Sequence, residues 1–362
     1  MNKLGFGFLR FPMENEEVRY DILTPMVDAF FEKGGTYIDT AYPYLNGKSE
    51  EAVRKTVVER YPRDSFILAN KVPGYQVKER ADLYRMFEES LQRCGVDYFD
   101  VYMLHWLNGK HYAMAEEFDE FAFLRELKAA GKAKKIGFSF HDTAQLLDEI
   151  LTKHPEVDVV LLQINYLDWE SEGIQSRKCY ETALRHGKEV VVMEPVKGGT
   201  LAKVPEEAEK LLRKIDPDRS PAFHALRFVQ SLPGVNVVLS GMGALSQMEE
   251  NMLPVEPMTE EELSLLWQAA KAIDRATAIG CTGCGYCLSK CPKKIFISRY
   301  FKLYNEGQQK PSQAWKLKPA YKEAAKGRGM ASDCIGCGAC EKSCPQMLPI
   351  RDYLAKVKEV LE

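Results

Sequence analysis

The 362-residue sequence predicts an α/β architecture: a (β/α)8 TIM barrel followed by a small, partly helical, cysteine-rich domain. Three observations predict it. Eight short apolar runs alternate with helical patterns across residues 4–251, and eight such repeats in roughly 250 residues match that barrel in count and length. Eight of the ten cysteines lie between Cys281 and Cys344. Charge changes sign at the same boundary: residues 1–276 hold 34 basic and 45 acidic side chains, whereas residues 277–362 hold 15 and 7.

The strand-like runs are Leu4–Leu9, Thr36–Ile38, Phe66–Ala69, Phe99–Leu104, Lys135–Phe138, Val157–Ile164, Val190–Met193 and Val235–Leu239. Their Val, Ile, Phe and Leu content suits parallel strands covered on both faces. Helical patterns separate them at Glu16–Lys33, Ser49–Arg60, Lys78–Cys94, Glu117–Ala130, Thr143–Lys153, Ser171–His186, Glu206–Arg213 with Pro221–Gln230, and Leu245–Met252. Several end at a glycine (Gly34, Gly95, Gly131, Gly187), the residue that most readily takes the left-handed cap of a helix. An open doubly wound sheet is the alternative, but Gly5-Phe6-Gly7-Phe8-Leu9-Arg10 lacks the third glycine of a G-x-G-x-x-G turn. After the last repeat, Thr259-Glu-Glu-Glu262 reads as a capping box opening a helix to about Ala276. The expected domains are therefore residues 1–276, a barrel with its trailing helix, and residues 277–362.

Hydrophobic residues at 45% and charged residues at 28% suit a folded globular chain. A formal net charge of −3 gives no whole-chain case for nucleic acid or a membrane surface as partner. No apolar run approaches the ~18–20 residues of a membrane span, and Met1–Pro12 does not read as a secretory signal. A cytoplasmic location is expected. Without a secretory context the cysteine density argues against disulfides. Cys94 and Cys179 stand alone in helical segments and read as packing residues.

The remaining cysteines form two runs of one spacing. They are Cys281-x-x-Cys284-x-x-Cys287-x-x-x-Cys291-Pro292 and Cys334-x-x-Cys337-x-x-Cys340-x-x-x-Cys344-Pro345. This is the bacterial ferredoxin rhythm, in which a tight loop aims thiolates at a [4Fe–4S] cluster. Zinc also uses C-x-x-C pairs, but four cysteines in this rhythm, twice and each followed by proline, is the more specific pattern. In two-cluster ferredoxins the fourth cysteine of each run ligates the other cluster. That pairs Cys281, Cys284 and Cys287 with Cys344, and Cys334, Cys337 and Cys340 with Cys291. Forty-two residues separate Cys291 from Cys334, and much of that insert looks helical. Two oxidised clusters with their thiolates add about −4 of charge, which the basic balance of this region partly offsets. A basic docking face is the second reading of that balance.

In the barrel, strands two, three and four end in Asp39, Lys71 and His105, with Tyr44 five residues beyond Asp39. Taken singly, these read as a turn-capping aspartate, a snorkelling lysine and a hydrogen-bonded core histidine. Three consecutive strands that each end in an ionisable group, on the barrel face where active sites lie, favour chemistry. A lysine beside a tyrosine favours phenolate and lowers a pKa normally near ~10. Asp39 would fix and balance Lys71. Tyr44 then becomes a general acid for a carbonyl oxygen whose carbon receives hydride, with His105 orienting and polarising that oxygen.

The pattern Asp39-Thr-Ala-x-x-Tyr44, with Lys71 and His105, resembles the aldo-keto reductases, and the resemblance covers the barrel. It implies Tyr44 as acid/base, Lys71 and Asp39 as its tuners, and His105 as the orienting group for a small carbonyl or alcohol substrate. It also implies an NAD(H) or NADP(H) site. Ser139 and Gln163 match positions that hold the nicotinamide carboxamide, and Met193 stands where the family stacks an aromatic. Glu194-Pro-Val-Lys197-Gly-Gly199 resembles the loop along the pyrophosphate. Gly241, Gln247, Glu250 and Asn251 match the adenine end. Phe140-His141 replaces the family's Asn after the serine. Gly241 and Gln247 stand where a Lys and an Arg often grip a 2′-phosphate, which favours NADH. Arg10, Trp106, His141 and Trp169 are candidates for the pocket wall.

Hydride moves two electrons together, whereas each cluster passes one, and no flavin site is recognisable. One expectation is therefore an NAD(P)H-dependent carbonyl reductase whose clusters serve electron transfer with a flavoprotein or other partner, sensing, or structure. The alternative is an iron–sulfur electron-transfer module with the barrel as a ligand-binding or docking scaffold. A third is cluster-driven reduction in the barrel without nicotinamide.

Overall fold

Parallel strands need crossover helices, so a chain with this alternation closes on itself once enough strands have accumulated. The computed structural model describes residues 3–309 and 315–362. The barrel strands are β1 (Leu4–Gly7), β4 (Tyr37–Asp39), β5 (Ile67–Val72), β6 (Phe99–Leu107), β7 (Ala133–Phe140), β8 (Val159–Gln163), β9 (Glu189–Met193) and β10 (Val235–Ser240). All pair in parallel in the order β1-β10-β9-β8-β7-β6-β5-β4, and β4 pairs back onto β1. The (β/α)8 expectation holds. β2 (Met13–Glu14) and β3 (Glu17–Val18) form an antiparallel hairpin where the sequence suggests the first helix begins.

Tyr37, Ala69, Val101, Met103, Val159, Leu161, Val191 and Leu239 fill the barrel interior. Register aligns the strand ends: Asp39 is level with Gly7 and Ala69, Lys71 with Met103, Ser139 with Leu161, and Gln163 with Met193. The candidate site residues therefore emerge on one rim.

The helices that alternate with these strands along the chain are α1 (Tyr20–Glu32), α2 (Lys48–Val53), α3 (Ala81–Cys94), α4 (Gly109–Glu117), α5 (Glu120–Ala129), α6 (Ala144–Lys153), α7 (Ser176–Arg185), α8 (Glu206–Ile215), α9 (Pro221–Ser231) and α10 (Leu245–Asn251). The helix expected over 117–130 begins at Glu120 instead. Asp119 takes a left-handed φ of 53° and separates it from α4. Behind the rim, Glu50 of α2 is fully buried yet satisfied: Asn70 Nδ2 donates to it at 2.8 Å and Arg93 pairs with it at 2.8 Å. Asn70 also accepts from the Lys71 backbone N–H at 2.7 Å, which fixes the end of β5.

The chain falls into two compact units, Met1–Pro195 with Ala225–Met258, and Val196–His224 with Thr259–Glu362. The boundary read from sequence after Ala276 lies inside the second unit. Helix α11 (Glu260–Ala276) belongs there, opened by a capping box in which Thr259 and Glu262 bond reciprocally, and Arg275 pairs with Glu207 of α8 at 2.7 Å. Beyond it come α12 (Ile297–Gln309), α13 (Lys318–Ala324) and α14 (Ile350–Leu361), the first two within the insert read as helical. Ile295, Ile297, Tyr300, Phe301, Tyr321, Ile350, Leu354 and Val357 make their core. Among the described residues, no helix is long and apolar enough to cross a membrane.

Candidate active site and cluster pockets

Asp39 and Lys71 leave adjacent strands side by side and are almost entirely buried, with side chains 4% and 1% exposed. A buried ammonium needs acceptors. Lys71 Nζ finds Asp39 Oδ1 at 2.5 Å and the Thr40 carbonyl at 2.8 Å. Burial pushes the Lys71 pKa down and that of Asp39 up, and each charge opposes the shift of the other. Asp39 Oδ2 has no hydrogen-bond partner among the described residues.

The loop after β4 reverses at once to bring Tyr44 back over this pair. Leu45, Asn46 and Gly47 are all left-handed (φ 51°, 55° and 90°), and Thr40 and Ser49 brace the base through hydroxyls 2.7 Å apart. Lys71 Nζ lies 5.1 Å from the Tyr44 ring centroid, and the Tyr44 and His105 rings meet edge to face at 5.5 Å. The four residues predicted from sequence thus form one constellation.

His105 owes its aim to a break in β6. Pairing with β7 shifts register between Leu104 and Leu107, and Trp106 takes a left-handed φ of 65°. Such a conformation is costly for a bulky residue and needs outside support. The Trp106 N–H donates to Ser139 Oγ at 2.6 Å, and His111 Nδ1 meets the Trp106 carbonyl oxygen at 2.7 Å. His105 Nδ1 is buried without a partner among the described residues. Burial, aided by the Lys71 charge, holds its pKa well below the usual histidine value. Burial lowers His141 to about 4. These imidazoles are neutral near pH 7 and act as hydrogen-bonding groups there.

Tyr75 and His111 complete an aromatic wall that the sequence reading missed. Tyr75 stacks on His111 at 5.1 Å, meets Trp106 at 5.5 Å and stands 6.1 Å from His105. Trp106 stands 6.4 Å from His141, so two of the named wall candidates are neighbours. The turn carrying Tyr75 rests on Glu120: a Cβ at Gly74 would fall 2.1 Å from Glu120 Oε2, so any side chain there must displace the carboxyl. Glu120 is 1% exposed, its Oε1 has no partner among the described residues, and burial raises its pKa to about 7. A carboxyl at the first position of a helix, thirteen residues before the next strand, gave no signal for this.

Ser139, Gln163 and Met193 occupy the ends of β7, β8 and β9. Ser139 accepts the Trp106 N–H, and Gln163 Nε2 donates to Asp168 at 3.2 Å beside Asn165, which donates to the same carboxylate at 2.8 Å. Arg10 and Glu194 stand 4.0 Å apart. Gly241 lies so close to Arg10 that a Cβ would come within 2.9 Å of the Arg10 Cβ. Gln247 accepts from the Gly243 N–H at 2.8 Å, and Asn251 donates to Ser240 at 3.3 Å. Glu250 is half-buried on α10. Lys197 and Gly199 belong to the second unit, in a left-handed turn, Lys197–Ala202. A Cβ on Gly198 would fall 2.2 Å from the Thr282 carbonyl oxygen, so this turn is seated on the first cysteine run.

The cysteines converge on two pockets. Cys281, Cys284, Cys287 and Cys344 line the first; Cys291, Cys334, Cys337 and Cys340 line the second. This is the exchanged grouping, three thiols from one run and the fourth from the other. Burial and the neighbouring Cys284, Cys281 and Cys344 raise the Cys287 thiol to about 12, as expected of thiols gathered without a cation. Among the described residues no group of three or more His, Cys, Asp or Glu could hold a single metal ion. Ile297, fully buried, lines both.

Comparison with known proteins agrees with this geometry. The sequence profile of the aldo/keto reductase family matches residues 3–270, and that of a 4Fe-4S dicluster domain matches residues 280–349. The NADH-specific methylglyoxal reductase of Escherichia coli (strain K12) is 26% identical over 284 residues, 67% of this chain and 85% of that protein. Aldo-keto reductase YhdN of Bacillus subtilis (strain 168) is 37% identical over 127 residues, 33% of this chain and 37% of that protein. The holo form of aldo-keto reductase AKR11C1 from Bacillus halodurans superposes with a TM-score of 0.61 at 26% identity, covering 75% of this chain and 92% of that one. An aldo/keto reductase from Klebsiella pneumoniae in complex with NADP and acetate shares the fold, with a TM-score of 0.59 at 21% identity over 74% of this chain and 90% of that one. The chain belongs to the aldo/keto reductase family and is an oxidoreductase that carries a 4Fe-4S dicluster domain.

Two outcomes follow from the site. If the exchanged grouping holds clusters, anaerobically prepared Cys281→Ser/Cys344→Ser protein keeps about half its iron, whereas Cys291→Ser/Cys344→Ser loses nearly all. Equal loss in both would assign each run its own cluster. Glu120 has a folded pKa raised to about 7, so its contribution to stability is full below its ordinary value of 4.5 and is lost as pH rises through about 7. Glu120→Gln should therefore stabilise the protein by about 2–3 kcal/mol at pH 8.5 and by much less at pH 5, read by urea unfolding. An effect independent of pH would mean that Glu120 is already ionised in the fold.

Proposed function

We propose that this aldo/keto reductase interconverts a small carbonyl compound and its alcohol, with NAD(H) or NADP(H), through Tyr44 as general acid/base. The observation that carries the reading is the Tyr44 ring 5.1 Å from a buried, aspartate-paired Lys71 ammonium and edge-on to a neutral His105. The nearby ammonium favours the phenolate, so Tyr44 gives up its proton to a carbonyl oxygen more readily than an isolated tyrosine. Asp39 holds Lys71 charged and in place. His105, neutral, hydrogen-bonds the substrate oxygen without competing as an acid. The wall of Tyr75, Trp106 and His111 excludes water and suits a small substrate.

Ser139, Gln163 and Met193 on the rim, with Lys197 and Gly199, and with Gly241, Gln247, Glu250 and Asn251, are proposed to hold the nicotinamide cofactor, which supplies hydride when bound. Ser139 accepts one hydrogen bond from Trp106 and keeps its own hydroxyl proton to donate. The NADH-specific relative and the lack of Lys or Arg at Gly241 and Gln247 favour NADH. Two [4Fe–4S] clusters are proposed for the two cysteine pockets, exchanging electrons with a separate carrier or serving as sensor or structural core. The alternative, an iron–sulfur electron-transfer module whose barrel is a scaffold, draws support from the internal hydrogen bond that already engages Gln163 with Asp168.

The two readings separate in one anaerobic assay with NADH or NADPH and a panel of aldehydes and ketones that includes methylglyoxal. Carbonyl-dependent cofactor oxidation is expected, and Tyr44→Phe should lower kcat by roughly 10²–10⁴-fold while cofactor affinity is kept. A Tyr44→Phe enzyme as fast as wild type would remove Tyr44 from the mechanism. Absence of nicotinamide binding would favour the scaffold.

A further inference from the structure

The two cysteine runs repeat one loop, yet their surroundings differ. In the first run the residue after the leading cysteine is Thr282, 3% exposed, with its carbonyl oxygen against Gly198. In the second it is Ile335, 60% exposed. Cys284 is partly covered, whereas its counterpart Cys337 is exposed. Met347, 51% exposed, also lies beyond the second run. The first pocket has no charged residue in its lining, whereas the second has Lys293 and Arg351. Lys293 and Arg351 line the open pocket; Lys290 and Lys294, near Cys291 in the chain, and Lys342, near Cys340, are exposed too, with Asp333, Glu341 and Asp352 as the acids near the second run in sequence. Glu341 is tied to Arg351 at 2.9 Å, and Asp333 is turned to the Met330 N–H at 2.7 Å.

We infer that the pocket of Cys291, Cys334, Cys337 and Cys340 is the electron port, and that Ile335 with its basic rim docks a one-electron carrier protein with an acidic face. The inference rests on the iron–sulfur reading of the two pockets. Docking surfaces for electron transfer are small, with an apolar centre over the redox group and charge at the rim that steers encounter. An exposed isoleucine between two ligands supplies the centre, and lysines flanking Cys291 supply the rim. The carrier loses one electron and the cluster behind Ile335 gains it, with no proton or group transferred. The other cluster, covered at Thr282, takes the electron onward past Ile297, the side chain common to both pockets. The basic balance of residues 277–362 makes the carrier acidic, and rim-to-rim pairing of two copies of this chain is disfavoured because like charges repel.

The test uses the full-length, cluster-loaded protein under anaerobic conditions, with a small acidic ferredoxin as probe and a small basic cytochrome as control. Binding is read by calorimetry across a salt series, and cluster reduction by stopped flow. The ferredoxin should bind at low salt and weaken about tenfold or more as salt rises, and the cytochrome should bind far more weakly. Lys290→Glu/Lys294→Glu should weaken ferredoxin binding and slow reduction about tenfold. Lys33→Glu/Lys55→Glu on the barrel should change neither, and dithionite should reduce all three proteins alike. Equal losses in the two double variants, salt-independent binding, or a cytochrome that binds as well as the ferredoxin would overturn the port. Wild-type protein that holds no iron would instead overturn the cluster reading beneath it.

Discussion

The ion pair of Lys71 and Asp39 is the constraint around which the barrel rim is arranged. Both groups are nearly sealed from water and 2.5 Å apart. Taking two charges out of water costs several kcal/mol per ion, and apolar residues of like volume would often be as stable or more so. The pair is therefore poor evidence for stability and better evidence for a task. Everything near it limits that cost or uses it: the Thr40 carbonyl accepts from the ammonium, Asn70 pins the backbone of Lys71, and three left-handed residues fold Tyr44 over the charge. The same charge and burial keep His105 neutral. On the proposed reading the same buried cation favours the Tyr44 phenolate and, second to burial, disfavours the His105 imidazolium.

Much of this was legible in the sequence because its signals are local. Apolar runs at regular spacing dictate strands, register delivers their last residues to one rim, and Asp39, Lys71 and His105 announce themselves as ionisable ends of apolar runs. The likeness of the two runs to two-cluster ferredoxins implied the cysteine grouping, and the pockets gather the same sets. What escaped depends on contacts between distant segments. Nothing around Trp106 forecasts a left-handed bulge, since its support comes from Ser139 on the next strand. Tyr75 meets His111, and Gly74 meets Glu120, only because the turn after β5 packs against the helices that follow β6. The break at Asp119 likewise has no helix-ending glycine or proline to mark it.

The second compact unit holds both the cysteine runs and a turn proposed for the nucleotide. Its Lys197–Ala202 turn, likened to the pyrophosphate loop of the family, presses Gly198 onto the residue that follows Cys281. Thus a candidate nucleotide loop and a cluster loop share a contact that tolerates no side chain. Hydride and single electrons nevertheless remain different currencies, and no flavin site in the sequence converts one into the other. On the proposed reading the constellation at Tyr44 serves hydride transfer alone, and the clusters exchange electrons with a separate carrier.

Isotope transfer tests that division most directly. The protein is given nicotinamide cofactor labelled with deuterium at its reactive carbon, together with a carbonyl substrate and no oxygen, and the clusters are followed by EPR in the same sample. The account predicts deuterium on the carbinol carbon of each product alcohol while the cluster signal stays unchanged. Unlabelled alcohol, formed as the cluster signal changes in step, would contradict it and move the chemistry from hydride to single electrons.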